Sequence, residues 1–383
     1  GLGSALIELR DNDDVRVVIL TGSGSDGAVG AVEVKQAGGT VIVQNPQTAR
    51  YPSMPLALPP TAVDFEADIE NIGALLSDIL SGANTAPVEE KTDTLLHDIL
   101  DQISRQANID FRPYKTSTLL RRINRRMMVT RVKSMRDYVH YLEAHPAEIG
   151  ELINAFLINV TQFFRDADAF TYLRTEVLPS LIAQARDTTR ILRFWSAGCA
   201  TGEEAYSLAM LITDALGAEL PQWNIKIFAT DLDEAAIAYA RRGVYADNLL
   251  KSVPNEYRDR YFERVDQGFR IAKTLRQMVI FGQQDLSRSA PFPRINMVLC
   301  RNVLIYFTLD LQDYVLNQFA FSLNPGGYLL LGKAETVRPA QIYYEPLNKL
   351  WKVYRCVGSA LPPRRHEGMA TLSVSRAENR VSR

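Results

Sequence analysis

The sequence predicts an α/β protein whose main body is a doubly wound parallel sheet, preceded by a small helical domain and, before that, by part of a second α/β domain. Three observations carry this. From residue 191 onward, apolar strand-like runs alternate with amphipathic helical stretches, as in a parallel sheet covered on both faces. From 93 to about 175 apolar residues recur at three- and four-residue spacing, the helical period. Between these and the first 80 residues lies SGANTAPVEEKT (81–92), small and polar without periodicity, which reads as a linker.

The elements follow in order. VRVVILTG (15–22), a helix over 27–39 and TVIVQN (40–45) form a strand-helix-strand unit within residues 1–80. Helices are expected over 93–103, 116–128, 135–145 and 147–160. The sheet domain, 176–357, contains strands ILRFWSAG, IKIFATD, INMVLC and YLLLG, separated by helices EEAYSLAMLITDAL, EAAIAYAR and LDLQDYVLNQFAFSL. Between Arg242 and Val279 the alternation breaks. Short runs such as GFRIA and QMVIF predict a β excursion over 243–280, and residues 358–383, poor in apolar side chains, are expected to be disordered.

Composition narrows the function. A length of 383 residues implies two or three domains, and 43 Lys+Arg against 44 Asp+Glu argues against a whole-chain polyanion binder. Charge is instead regional: residues 1–80 hold eleven acids and four bases, whereas 112–136 hold nine bases and no acid. No apolar run approaches the roughly 20 residues of a membrane span. Cys199, Cys300 and Cys356 are too scattered for a disulfide framework, and with four histidines no metal-ligand spacing appears, so a reduced cytoplasmic setting and no metal are expected. The start, Gly1-Leu2-Gly3-Ser4, shows no leader pattern and is expected to lie inside a longer protein.

The loop from Ser196 to Glu204 follows an apolar strand and opens a helix. Gly198 and Gly202 would allow a ligand to approach the backbone there. The spacing matches neither GxGxxG nor a P-loop, since no Lys-Ser/Thr follows Gly202. Asp231 ends the next strand, where an acid can accept hydrogen bonds from a ribose. A ribose-bearing ligand is one reading of these residues, and a glycine turn with an aspartate helix cap is the other.

The runs INVTQFFRD (158–166), SAGCATGEEAYSLAM (196–210), ATDLD (229–233), CRNVLIYF (300–307) and NPGGYLLLG (324–332) together resemble the chemotaxis receptor methyltransferases of the CheR type, over about residues 93–357. The resemblance implies an S-adenosylmethionine-binding α/β domain with a small β subdomain, a helical N-terminal domain, and methyl transfer to glutamate side chains in the cytoplasmic helical region of receptors. It implies a cofactor pocket using Asn159, Thr161, Arg165, Gly198, Gly202, Glu204, Asp231, Asp285, Leu286, Arg301 and Asn302. Two positions depart from the family: Asp285-Leu286 replaces the frequent Asn-Leu, and Ala205 replaces a proline that would suit an early helical position.

A glutamate has a reference pKa of about 4.3, so the acceptor is already ionised at neutral pH and needs positioning more than a general base. Arg165, with its planar fork, and Tyr306, with a hydroxyl and a π face, are the expected catalytic pair. Cys300 has no Pro-Cys context and no nearby histidine, so it reads as a buried strand-end thiol. Arg121, Arg122, Arg125 and Arg126 are expected on one side of a helix whose Leu120, Ile123 and Met127 turn to the core, and the family places an equivalent helix against acidic receptor helices. Direct membrane insertion is not expected.

Residues 1–80 resemble the last part of the CheB-type receptor methylesterases, with Asp26 matching the acid of a Ser-His-Asp triad. No histidine occurs in this stretch, so an esterase site is not expected from it. Two other functions compete with receptor methylation: a nucleic-acid methyltransferase using the basic helix, and a non-catalytic signalling scaffold. The first lacks both the Asn/Asp-Pro-Pro-aromatic motif and aromatic side chains interleaved with its arginines, so no nucleic-acid partner is expected.

Overall fold

In a computed structural model the chain divides into two units, Gly1–Asp98 and Ile99–Arg383. The residues described are 89–157, 161–266 and 268–358, with short stretches of the first 88, chiefly 17–20, 40–46, 48–51 and 65–70. Asp26, Asn159, most of the helix expected over 27–39, residues 81–88 of the expected linker and residues 359–383 of the expected disordered tail lie outside them.

The first unit contains β1 (Val17–Leu20), β2 (Thr40–Gln44) and β3 (Phe65–Ala67) in a parallel sheet of that order. Val41, Ile42 and Val43 are all buried, as a strand covered on both faces requires. β3 was not anticipated.

Helix α1 (Glu89–Ala107) runs across the division between the units. The second unit continues with α2 (Thr116–Thr130), α3 (Met135–Ala144) and α4 (Pro146–Phe156). Leu119 and Ile123 of α2, Tyr138 and Leu142 of α3, and Ile149, Leu152 and Phe156 of α4 are buried. The seam of α2 therefore runs through Leu119 and Ile123, one residue away from the expected Leu120, and Met127 is only half-buried. α4 ends at Phe156, four residues short of expectation, where Leu157 turns to extended backbone.

Next come α5 (Ala167–Tyr172), a π-type turn (Leu173–Val177) and α6 (Leu178–Arg186), a continuous helical run. The helical domain was expected to reach 175, but Phe170, Leu173 and Val177 share one core with Phe194 and Ile227 of the sheet.

β4 (Ile191–Ala197), α7 (Glu203–Leu216), β5 (Asn224–Asp231) and α8 (Glu234–Arg242) follow. A small antiparallel sheet comes next, built from β6 (Val244–Tyr245), β7 (Phe262–Val265) and β8 (Gly268–Ile271) in the order β6-β8-β7, with α9 (Asn255–Tyr261) between its first two strands. After α10 (Lys273–Met278) the chain returns to the main sheet as β9 (Val279–Gln283), which pairs in parallel with β5. Most of QMVIF thus belongs to the main sheet and not to the excursion. β10 (Ile295–Cys300), α11 (Leu309–Ser322), β11 (Leu323–Leu331), β12 (Tyr344–Asn348) and β13 (Val353–Cys356) complete the elements of the described residues.

The main sheet has the order β12-β13-β11-β10-β4-β5-β9. Five strands are parallel, and β13 runs antiparallel to both β11 and β12. Period-two alternation separates two cores. Phe194, Ile227, Met297 and Leu330 face α6 and α7, whereas Trp195, Val298, Cys300 and Leu329 face α11. β12 forms the outer edge, with Glu345, Pro346 and Leu347 exposed.

Candidate functional site

The chain leaves β4 in one direction, through β5 to β9, and returns on the other side through β10 to β11. The carboxyl ends of β4 and β10 thus flank a crevice where the winding reverses, the place at which such sheets bind ligands. A pocket of about 920 Å³, counting its open mouth, occupies it.

The loop after β4 is anchored first. Gly198 and Cys199 N–H groups both donate to Thr230 O, at 2.8 and 2.9 Å, and Ala200 N–H donates to the Asp231 carboxylate at 2.8 Å. Gly198 has φ +75° and Gly202 φ +93°, so both need glycine. A Cβ on Gly198 would lie 2.4 Å from Val303 Cγ2, and one on Gly202 would lie 2.8 Å from Ala240 Cβ. Protein neighbours thus crowd the space a side chain would need at both glycines. Gly198 lines the pocket and Gly202 is absent from its lining.

Asp231 lines the pocket while accepting N–H bonds from Ala200 and Asp233. Burial pushes its carboxyl above the usual range, against the pull of those bonds. Thr161, Arg165, Glu204, Asp285, Leu286, Arg301, Asn302 and Tyr306 also line the pocket, so the structure gathers most of the expected site. Several are already engaged. Glu204 takes a bond from Ser196 Oγ at 2.8 Å and lies 3.3 Å from Arg301 Nη1. Arg301, only 7% exposed, also holds Asp166 and the Arg165 carbonyl, the latter at 2.9 Å, so its fork braces the Arg165 loop. Asp285 spends one oxygen on the Ser287 N–H and hydroxyl.

Phe164 and Asp166, on either side of Arg165, are left-handed at φ +50° and +59°. Phe164 stacks on Tyr257, and Phe163 meets Tyr245 and Phe262 of the small sheet with ring centres 4.9 and 5.5 Å apart. The small subdomain therefore sets the backbone that presents Arg165.

The basic helix divides in two. Arg126 donates to both oxygens of Glu148, at 2.8 and 2.7 Å, and Tyr138 adds a third bond to that carboxylate. Arg126 is thus a structural side chain, which corrects its expected place on a receptor-facing surface. At about 100° per residue Arg122 and Arg126 flank the buried seam, whereas Arg125 is exposed and Arg121 half-buried. Arg122 is half-buried, and its charge is the strongest acting on the Tyr306 phenol, ahead of Arg165 and Arg121. Burial holds that phenol above its ordinary value despite the three cations.

Sequence reasoning missed several contributors. Gln284 and Tyr114 line the pocket, and Tyr114 comes from the helical domain, pairing edge to face with Phe307 at 5.0 Å. Gln284 was foreseeable from its place immediately after a strand end; nothing in the sequence marks Tyr114. Cys300 is fully buried, and its thiol is pushed well up by burial, then by the Glu335 and Glu204 charges, consistent with an inert strand-end role.

This sheet order and pocket, taken with the family matches that follow, define an S-adenosylmethionine-dependent methyltransferase. The model for the CheR methyltransferase SAM-binding domain matches residues 159–353, that for the CheR all-alpha domain matches 95–157, and that for CheB methylesterase matches 4–76. The chain belongs to the CheR methyltransferase family. It is 35% identical over 379 residues to an uncharacterized 104.1 kDa protein of Rhodobacter capsulatus, covering 91% of this chain and 40% of that protein. A chemotaxis protein methyltransferase of Borreliella burgdorferi is 31% identical over 223 residues (57% of this chain, 79% of that one). Chemotaxis protein methyltransferase 2 of Vibrio cholerae is 31% identical over 252 residues (64% and 86%). The chain thus spans less than half of the Rhodobacter relative.

The residues fit the cofactor. Asn302 Oδ1 and Gln284 Oε1 are buried acceptors with no hydrogen-bond partner among the described residues, and both residues line the pocket. Asp231 and Glu204 add acids suited to hydroxyl and ammonium groups, and Tyr114, Leu286 and Phe307 add apolar surface suited to a purine.

Proposed function

We propose that this chain methylates glutamate carboxylates in the cytoplasmic helical region of methyl-accepting chemotaxis receptors, and so works in the cytoplasm. The observation that carries this reading is the convergence of the Arg122, Arg165 and Arg121 charges on Tyr306 at the pocket. A cluster of cations beside a pocket selects an anionic acceptor.

When bound, S-adenosylmethionine supplies an activated methyl group. The chain's own work is to place the acceptor. A glutamate arrives ionised, Arg165 and Arg122 attract its carboxylate, and Tyr306, protonated at neutral pH as an ordinary phenol is, donates a hydrogen bond to it. Asp231, Glu204, Gln284, Asn302 and Thr161 would hold the cofactor, together with Asp285, Leu286 and Tyr114 of the same pocket lining. Arg121 and Arg125 on the outer stripe of α2 steer acidic receptor helices.

The test is to incubate the chain with labelled methyl donor and membranes bearing chemoreceptors. Alkali-labile label on receptor glutamates is expected. Label confined to nucleic acid, or none on any receptor, would overturn the proposal.

A further inference from the structure

The loop after β10 carries Arg301, Asn302, Val303 and Tyr306, four of the pocket's lining residues, and its backbone is bent into an unusual shape, with Asn302 left-handed at φ +61°. A bend of that kind in a non-glycine residue persists only where surrounding bonds over-determine it. They come from one side chain. Glu335, only 4% exposed and outside the pocket lining, accepts four backbone N–H bonds. Its Oε2 takes Asn302 N at 3.0 Å and Gly332 N at 2.6 Å, and its Oε1 takes Val303 N and Leu304 N, both at 2.8 Å. This one carboxylate ties the end of β11 to three consecutive amides of the loop beside it.

We infer that Glu335 is a positioning residue for both halves of the site, holding Asn302 for the cofactor and the short helical turn Leu304–Tyr306 for the acceptor. It touches neither group itself. Its anionic form suits the task because both oxygens must accept, and a neutral acid or amide would turn a donor toward amides that also donate. Gly332 completes the device. A Cβ there would lie 2.8 Å from Glu335 Oε2 and 2.9 Å from Asn302 N, so the carboxylate reaches the loop only past a residue without a side chain. The inference rests on the pocket being the cofactor site.

Two variants of the full chain test it. Glu335→Gln replaces an acceptor oxygen with a donor, and Gly332→Ala leaves the charge but displaces it. Each is measured for S-adenosylhomocysteine affinity by calorimetry, for single-turnover methyl transfer at saturating donor, and for thermal stability. Both are expected to bind about tenfold more weakly and to transfer about tenfold more slowly, the loss that follows when buried donors go unmatched. A purely structural Glu335 would lower the melting temperature while folded protein kept parental affinity and rate, and that result overturns the inference. If Glu335→Gln does not fold, Gly332→Ala decides alone. A parental chain that fails to bind S-adenosylhomocysteine would sink the pocket reading and this inference with it, whereas parental binding with undiminished variants sinks the inference only.

Discussion

Arg126 and Glu148 form a two-pronged ion pair between α2 and α4, Nε to Oε1 at 2.8 Å and Nη2 to Oε2 at 2.7 Å, with side chains 18% and 8% exposed. Removing one partner strands the other in a poorly hydrated place. Arg126→Ala is therefore expected to cost about 3 kcal/mol, read by urea unfolding, whereas Arg125→Ala should stay within about 0.5 kcal/mol of the parent.

The same pair sets an acid limb. Burial raises the Glu148 carboxyl and the bonds from Arg126 and Tyr138 lower it, leaving it net below its ordinary 4.5. A carboxylate whose folded pKa is depressed stabilises the protein above its unfolded pKa, and that contribution is lost as pH falls below about 4.5 and through the folded value. Glu148→Gln should thus be less stable than the parent at pH 7, with the gap closing on acidification. A gap that is constant with pH would contradict the assignment.

Charge reversal at Arg121 and Arg125 should raise the KM for receptor and flatten its dependence on salt, with donor affinity unchanged. Salt screens the attraction of exposed Arg125 and half-buried Arg121 for an approaching acid beyond a Debye length of about 10 Å at 0.1 M salt. Initial rates across a salt series are the measurement.

Arg165→Ala and Tyr306→Phe should lower turnover at least about tenfold while changing S-adenosylhomocysteine affinity less, since positioning of the acceptor acts on the transfer step. Equal losses in both quantities would reassign them to cofactor binding.

Gly198→Ala should destabilise by about 1–2 kcal/mol for its left-handed backbone alone, with a further loss from the clash with Val303. Adding Val303→Ala should recover the second part and leave the first, a coupling measurable by a double-mutant cycle.

Much of this architecture was legible because long apolar runs have a clear period. Four of the five parallel strands of the main sheet are visible as strands in the sequence, and QMVIF is a strand that the sequence assigns to the wrong sheet. The β12–β13 hairpin did not appear. Its first strand, YEPLN, contains a proline and three consecutive exposed residues, so neither composition nor alternation marks it. Of the pocket lining, Asp231 was legible from its place at a strand end and Asn302 only through the family resemblance. The site was illegible where a role depends on a partner far along the chain: Arg126 looks like its neighbours until Glu148 is placed beside it, and Glu335 looks like a polar loop residue until three amides from the loop after β10 converge on it.

The hairpin that the sequence concealed also determines how the sheet stops. An open flank with a full row of donors and acceptors is a template on which another polypeptide can pair and aggregates can grow. On β12 that row is spoiled from within: Pro346 has no N–H to offer, and exposed Glu345 beside it brings a charge that a stacked copy would have to bury. The outermost strand thus makes a poor template, and a chain seeking to lengthen the sheet from that side would meet a gap in its donors and a charge beside it.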